Sequence, residues 1–164
     1  MVIIVMGVAG SGKTTVGKLL AKSLSVDFLD ADDFHSPQAI KKMRSGIALN
    51  SDDRAPWLER IASRITQIDS AGQSAVFACS ALKESYRCQL RAAAKPEQLK
   101  FVYLRVSPEV VSERLRRRSD HFMPAKLATS QFEALEAPTD AICVDADQVP
   151  VRIVRMIQEK LAAA

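Results

Sequence analysis

Five short apolar runs punctuate the chain: VIIVM at 2–6, FLD at 28–30, AVFAC at 75–79, FVYLRV at 101–106 and AICVDA at 141–146. Each has the length and the enrichment in branched and aromatic residues that suit a strand. Between them lie KTTVGKLLAKSL (13–24), APWLERIASRITQI (55–68), ESYRCQLRAAA (84–94) and PEVVSERLRRR (108–118), and VPVRIVRMIQEKL (149–161) closes the chain. In these segments apolar residues recur three and four apart, so each is predicted as a helix with one buried stripe. Strand and helix in alternation require βαβ crossovers, which predicts an α/β fold: a mainly parallel sheet with helices on both faces. Ligands of such sheets sit at the carboxyl ends of the strands. No repeat with a period of 20–50 residues interrupts the pattern.

Composition narrows this picture without changing it. A chain of 164 residues fits one domain spanning 1–164, large enough to bury a core without disulfides. Cys79, Cys88 and Cys143 are odd in number, form no CxxC pair and have only His35 and His121 as possible co-ligands, which predicts reduced thiols and no zinc site. The run MVIIVM is too short for a signal-peptide core, and no segment approaches the roughly 18 apolar residues of a membrane span. The expectation is a cytoplasmic protein with no membrane partner. A net charge of +4 allows an anionic ligand but does not choose between nucleic acid and a phosphorylated metabolite.

The chemistry begins directly after the first strand. GVAGSGKT matches G-x-x-x-x-G-K-[ST] at Gly7, Gly12, Lys13 and Thr14, with the required strand before it and helix after it. Glycines here let main-chain N–H groups turn inward around phosphates, backed by the positive end of the helix. Gly7, Ala9, Gly10, Ser11, Gly12, Lys13, Thr14 and Thr15 form the expected nucleotide-binding set, Thr15 by its place in the run rather than by chemistry of its own. Lys13 is expected to reach the β- and γ-phosphates and Thr14 to ligate Mg²⁺, so ATP and Mg²⁺ are the implied cofactors. No N-K-x-D run for guanine is present, and the chain is short for a motor core. Small-molecule kinases of this fold carry an acidic turn after the second strand and an arginine-rich lid.

Both are visible. FLDADDFHS (28–36) puts three aspartates just past the second strand. Transfer to a hydroxyl needs a held Mg²⁺ and a carboxylate to take the acceptor's proton. Asp32 is assigned to the acceptor as base or orienter, Asp30 to the magnesium through its water shell, and Asp33 to solvent.

DADDFHS, the KKM of 41–43 with Gly46, DDRAPWL (52–58), CSALKESYRCQLR (79–91) and HFMPAKLATSQFEALEAP (121–138) together resemble the gluconate kinases of the P-loop type, over nearly the whole chain. The resemblance implies a nucleoside-monophosphate-kinase-like P-loop NTPase fold with a small helical lid at about 118–138. It also implies transfer of the ATP γ-phosphate to the 6-hydroxyl of D-gluconate by an enzyme that is commonly a homodimer. Arg54 and Arg87 match family arginines and become candidates for the gluconate carboxylate and neighbouring hydroxyls, with His35 and Lys83 nearby; a guanidinium fork suits a carboxylate. In the lid, Arg114 and Arg118 match the arginines that bind nucleotide, Arg118 as the catalytic one, and His121 matches a substrate-side histidine. Gln131 and Phe132 are expected as hinge and packing face of the helix returning from the lid. The loop at 144–151 is expected beside the adenine, and Trp57, Leu58, Cys79 and Cys143 in the core.

Three departures fall on the acceptor side or the lid. Ala39 stands where the family has asparagine, Ala48 and Ser51 where it has proline and aspartate, and Asp120 where it has glycine. A site that hydrogen-bonds its substrate discriminates strongly, so loss of an amide and a carboxylate bears on acceptor choice. Two other readings accompany the leading one: a kinase for another polyol acid such as shikimate, and a nucleotide-binding regulatory module without transfer activity. A nucleic-acid role, suggested only by charge and by RLRRR, predicts salt-sensitive oligonucleotide binding that is expected to be absent.

Overall fold

The computed structural model describes residues 1–117 and 125–163. Five parallel strands, β1 (Val2–Met6), β2 (Asp27–Asp30), β3 (Ala75–Ala78), β4 (Leu99–Arg105) and β5 (Ile142–Asp145), form one sheet in the order β2-β3-β1-β4-β5. Among the described residues seven helices accompany them: α1 (Lys13–Leu24), α2 (Pro37–Arg44), α3 (Ser51–Ser70), α4 (Glu84–Arg91), α5 (Pro108–Arg117), α6 (Ala125–Ala134) and α7 (Pro150–Ala162). A 3₁₀ turn, Ala31–Phe34, follows β2.

The central strand explains the continuous apolar opening, because all five residues of β1 are buried. Its side chains alternate between two cores. Ile3 and Val5 face α1, α5, α6 and α7 through residues such as Leu20, Val111 and Ile157, while Val2, Ile4 and Met6 face α3 and α4 through Ile61, Ile65 and Leu90. Ile4 stands in register with Phe77 on β3 and Phe101 on β4, which centres the second core. Each fully buried aliphatic side chain stabilises the fold by about 1.5–3 kcal/mol.

Strand positions follow the hydrophobic pattern to within a residue or two. The largest difference is α3, which begins at Ser51 rather than Ala55. Pro56 sits inside the helix and reads in sequence as a start, but Asn50 and Asp53 make a reciprocal capping box one turn earlier. The caps carry the helix past the hydrogen bond that proline cannot make. Helix α2 is short, with only Ala39, Ile40 and Met43 on its inner face; Ser36 caps it, its hydroxyl accepting from the Ala39 N–H, and Pro37 opens it. Among the described residues, no helix is long and apolar enough to cross a membrane.

Candidate active site

At the carboxyl edge of the sheet, β1 runs into the loop 7–12. Gly7 has φ +147°, and a Cβ there would lie 2.9 Å from Ser11 Oγ and 3.0 Å from the Leu104 carbonyl. Gly10 has φ +78° and lies against Val111 and Leu115 of α5. At Gly7 a side chain is excluded by conformation and by space together, and at Gly10 the positive φ disfavours one. The loop ends at Gly12, the N-cap of α1, whose first turn holds no acidic residue. No hydrogen bond within the described residues uses the N–H of Gly10, Gly12 or Thr14. Unpaired amides at a helix N-terminus, in a glycine-shaped concavity, are an anion site. Lys13 Nζ donates to the Val8 carbonyl at 2.9 Å, which folds the ammonium over this cradle.

The acidic turn meets the loop directly. Thr14 Oγ1 donates to Asp30 Oδ2 at 3.1 Å, and Asp30 Oδ1 accepts the Asp32 N–H at 3.1 Å. Asp30 thus caps the 3₁₀ turn and reaches the phosphate loop at once. The Asp32 carboxyl is raised above its ordinary range by the surrounding protein mass, then by Asp30, with Lys13 opposing and Asp33 adding. Its side chain is 85% exposed in the cleft, so water screens these effects.

His35 sits beneath it. The imidazole is 5% exposed, stacks on Trp57 with ring centroids 4.7 Å apart, and has Nε2 3.9 Å from Asp32 Oδ1. Burial, followed by Arg54 and Arg60, lowers its pKa, so the ring is neutral at pH 7. Trp57 Nε1 donates to the Ala31 carbonyl at 2.7 Å. The tryptophan is core, as expected, and it also locks the turn that carries Asp32.

Arg54 lies in the first turns of α3 and is half-buried. Its guanidinium makes no hydrogen bond or ion pair among the described residues, and its charge is felt by His35. Lys42 of α2 holds Asp53 through both carboxylate oxygens, at 2.7 and 2.9 Å, which fixes α2 against the start of α3. Lys83, the N-cap of α4, places its ammonium 5.9 Å from the Tyr86 ring centroid.

Arg87 is corrected. The expectation put its guanidinium on the substrate; the fold buries it to 1% exposure and uses it internally. It donates to Glu84 Oε2 from Nε and Nη2, to the Ala81 and Leu82 carbonyls from Nη1, and to the Glu136 carbonyl from Nη2. Glu84 also accepts from Arg91 at 2.8 Å, and the Glu84 N–H donates to Glu136 Oε2 at 2.6 Å. Arg91, with Arg87 and Cys88 assisting against partial burial, holds the Glu84 carboxyl down to about 2. This network clamps the segment after α6 onto the loop between β3 and α4. Glu84 and Glu136 stand in the quoted motifs, but nothing local in sequence says that they share one arginine.

Arg114 of α5 donates to the Gly10 and Ser11 carbonyls at 3.4 and 3.3 Å and to the Ala146 carbonyl at 2.6 Å. It braces the phosphate loop against the loop after β5. Gln131 of α6, expected as a hinge residue, instead reaches the phosphate loop: its Oε1 accepts the Ala9 N–H at 2.6 Å. Arg118, Asp120 and His121 lie outside the described residues. Of the remaining departures, Ala39 is buried on α2, while Ala48 and Ser51 are exposed at the approach to α3. Cys79 is buried, and burial pushes its thiol up to about 12, so it is an inert core residue.

Thr14 and Asp30 supply hard oxygen donors side by side, a fit for Mg²⁺, which is commonly held by one or two protein oxygens together with substrate phosphates. No group of three or more His, Cys, Asp or Glu gathers to hold a metal among the described residues.

A glycine-shaped phosphate loop, an aspartate pair facing it and a 2-3-1-4-5 parallel sheet define a P-loop kinase of small molecules. A family model for an AAA domain matches residues 2–142. A gluconokinase from Arabidopsis thaliana is 47% identical over 147 residues, covering 83% of this chain and 78% of the relative. A crystal structure of a gluconokinase from Sinorhizobium meliloti 1021 superposes with a TM-score of 0.89 at 42% identity, covering 98% of this chain and 91% of that one. The chain belongs to the gluconokinase family. The shikimate kinase of Aquifex aeolicus, at 20% identity and a TM-score of 0.59, shares the fold alone.

Proposed function

We propose that this chain transfers the γ-phosphoryl group of ATP to the 6-hydroxyl of D-gluconate, giving 6-phospho-D-gluconate and ADP. The observation that carries this reading is the Thr14–Asp30–Asp32 chain of hydrogen bonds, which sets an acceptor-side carboxylate directly against a cradle of open amides. Membership of the gluconokinase family and identity of 47% to a named gluconokinase support gluconate over shikimate as the acid.

The amides of Gly10, Gly12 and Thr14 hold the phosphates, and Lys13 neutralises charge on the group in transit. Thr14 and Asp30 would hold Mg²⁺, which when bound neutralises phosphate charge and orients the transferred group. Asp32 accepts the proton of the gluconate hydroxyl as its oxygen forms the new bond to phosphorus and the bond to ADP breaks. A carboxylate base with a raised pKa takes that proton more readily than an ordinary one. Arg54, with its guanidinium unpaired among the described residues, receives the gluconate carboxylate, and Lys83 approaches from the α4 side. The resemblance adds Arg118 for transition-state charge, His121 on the substrate side and a lid at 118–138, and it also supports a homodimer; the unpaired cysteines support the cytoplasm. The deciding experiment is ADP release from Mg·ATP with D-gluconate, shikimate and other sugar acids in parallel. Gluconate-dependent turnover is expected. Turnover with a different acid alone would move the specificity to Ala39, Ala48 and Ser51, and ATP binding without turnover on any acid would favour the regulatory module.

A further inference from the structure

Both helices that flank residues 118–124 bear on the phosphate loop, and they do so with opposite polarity. Arg114 of α5 donates to loop carbonyls, whereas Gln131 of α6 accepts a loop amide. The amide in question is informative. The Val8 carbonyl and the Ala9 N–H belong to one peptide plane, and that plane is pinned at both ends. Its oxygen accepts from Lys13 Nζ at 2.9 Å and from the Ser11 N–H at 3.2 Å; its N–H donates to Gln131 Oε1 at 2.6 Å.

The orientation of this plane is set by ψ of Val8 and φ of Ala9, and the hydrogen bonds at its two ends narrow the range that those two torsions can sample. If this plane turned, its carbonyl would leave the Lys13 ammonium, and the cradle's lysine would lose its main-chain support. Gln131 is the only side chain among the described residues that holds the N–H end. Because a main-chain N–H can only donate, the amide of Gln131 has its oxygen on Ala9 and its nitrogen directed elsewhere.

We infer that Gln131 is a positioning residue for phosphoryl transfer: through the Val8–Ala9 peptide it sets the orientation of Lys13 over the phosphate cradle. The inference deepens the kinase reading and rests on it only for the catalytic readout. Preorganised donors owe their effect to being aimed before the reaction begins, so loosening this plane lowers kcat more than it weakens binding of the acceptor.

The test uses Gln131→Met, which keeps the length and apolar packing of the side chain and removes the acceptor. The expected result is a fall in kcat of about three- to tenfold, the worth of one hydrogen bond, with KM for gluconate unchanged. Amide hydrogen exchange at Ala9 should speed up by a similar factor in the ligand-free variant. Unchanged kcat with unchanged Ala9 exchange would overturn the inference. If Gln131→Met does not fold, the wild-type protein decides alone: a protected Ala9 amide without nucleotide supports the assignment, and exchange at the unprotected rate refutes it. That measurement needs no turnover, so absence of gluconate phosphorylation by the wild type would sink the kinase reading and with it the catalytic role, while Ala9 protection would still report whether Gln131 holds the Val8–Ala9 peptide.

Discussion

The phosphate loop and the acceptor side of the cleft face each other across a few ångströms, yet they are assembled on different plans. The phosphate site is one contiguous stretch, the loop 7–12 and the first turn of α1, whose groups are set by local backbone geometry: positive φ at Gly7, Gly10 and Gly12, and a helix starting at Lys13. The acceptor side draws on the turn after β2, the start of α3 and the loop before α4, and each polar group there is either used by the fold or left open by it. Lys42, Asp53, Glu84 and Arg87 are consumed in internal pairs; Asp32 and Arg54 are not. A contiguous site declares its chemistry through spacing. A dispersed site declares it only through which of its charges the fold has already neutralised.

Variants on the two sides should therefore fail differently. Lys13→Ala should lower kcat by about 10³ or more with the fold intact, since it removes a charge aimed at the transferring group. Near-normal turnover would refute the phosphate assignment. Asp32→Asn should lower kcat by about 10²–10³ while leaving ATP affinity in place. The wild-type acid limb should lie above the ordinary aspartate value of 3.8, because a raised pKa means the base is lost to protonation earlier as pH falls. A selective loss of nucleotide affinity would instead exchange the roles of Asp30 and Asp32.

Arg87→Met separates structural from substrate-binding arginine. It leaves the Ala81 and Glu136 carbonyls without a donor and Glu84 with Arg91 alone of its two arginines, and should destabilise the protein by about 3 kcal/mol, read as a lower denaturant midpoint, with KM for gluconate unchanged in the folded fraction. A raised KM at unchanged stability would return Arg87 to the substrate. Arg54→Met should do the opposite, raising KM for gluconate about tenfold or more without moving the thermal midpoint. The smallest effect concerns pH. A carboxylate whose folded pKa is depressed stabilises fully above its ordinary value of 4.5 and loses that contribution as pH falls towards about 2. The stability gap between wild type and Glu84→Gln should close across that window, and a gap constant from pH 6 to 2 would show that the ion pair contributes nothing. Glu84 is half-exposed, so the gap itself is modest.

Most of the fold was legible because each strand and most helices are amphipathic or fully buried segments whose period can be counted. Helix α2 was not, since it spans two turns with three apolar residues, too few for a period to be counted, and is held by the Ser36 cap, Pro37 and the Lys42–Asp53 pair. The start of α3 was obscured by Pro56, whose helix-breaking tendency is a local property overridden by a capping box one turn away. In the site, the spacing of Lys13, Thr14, Asp30 and Asp32 was readable, and the hydrogen bonds linking Thr14, Asp30 and Asp32 make physical sense of it. The surroundings of Arg87 were not readable, because an arginine on a helix reads the same whether it faces ligand, solvent or a glutamate and main-chain carbonyls within the fold.

The sequence by itself determined the parallel α/β architecture, the phosphate loop and the acidic turn, because these depend on hydrophobic period and on backbone freedom at named glycines. Only the tertiary structure decided which charges remain available, that Arg87 and Glu84 join the segment after α6 to the loop before α4, and that Gln131 holds the Ala9 amide. Those contacts join residues 49 and 122 positions apart, and the geometry of a hydrogen bond depends on where the packed helices put its partners.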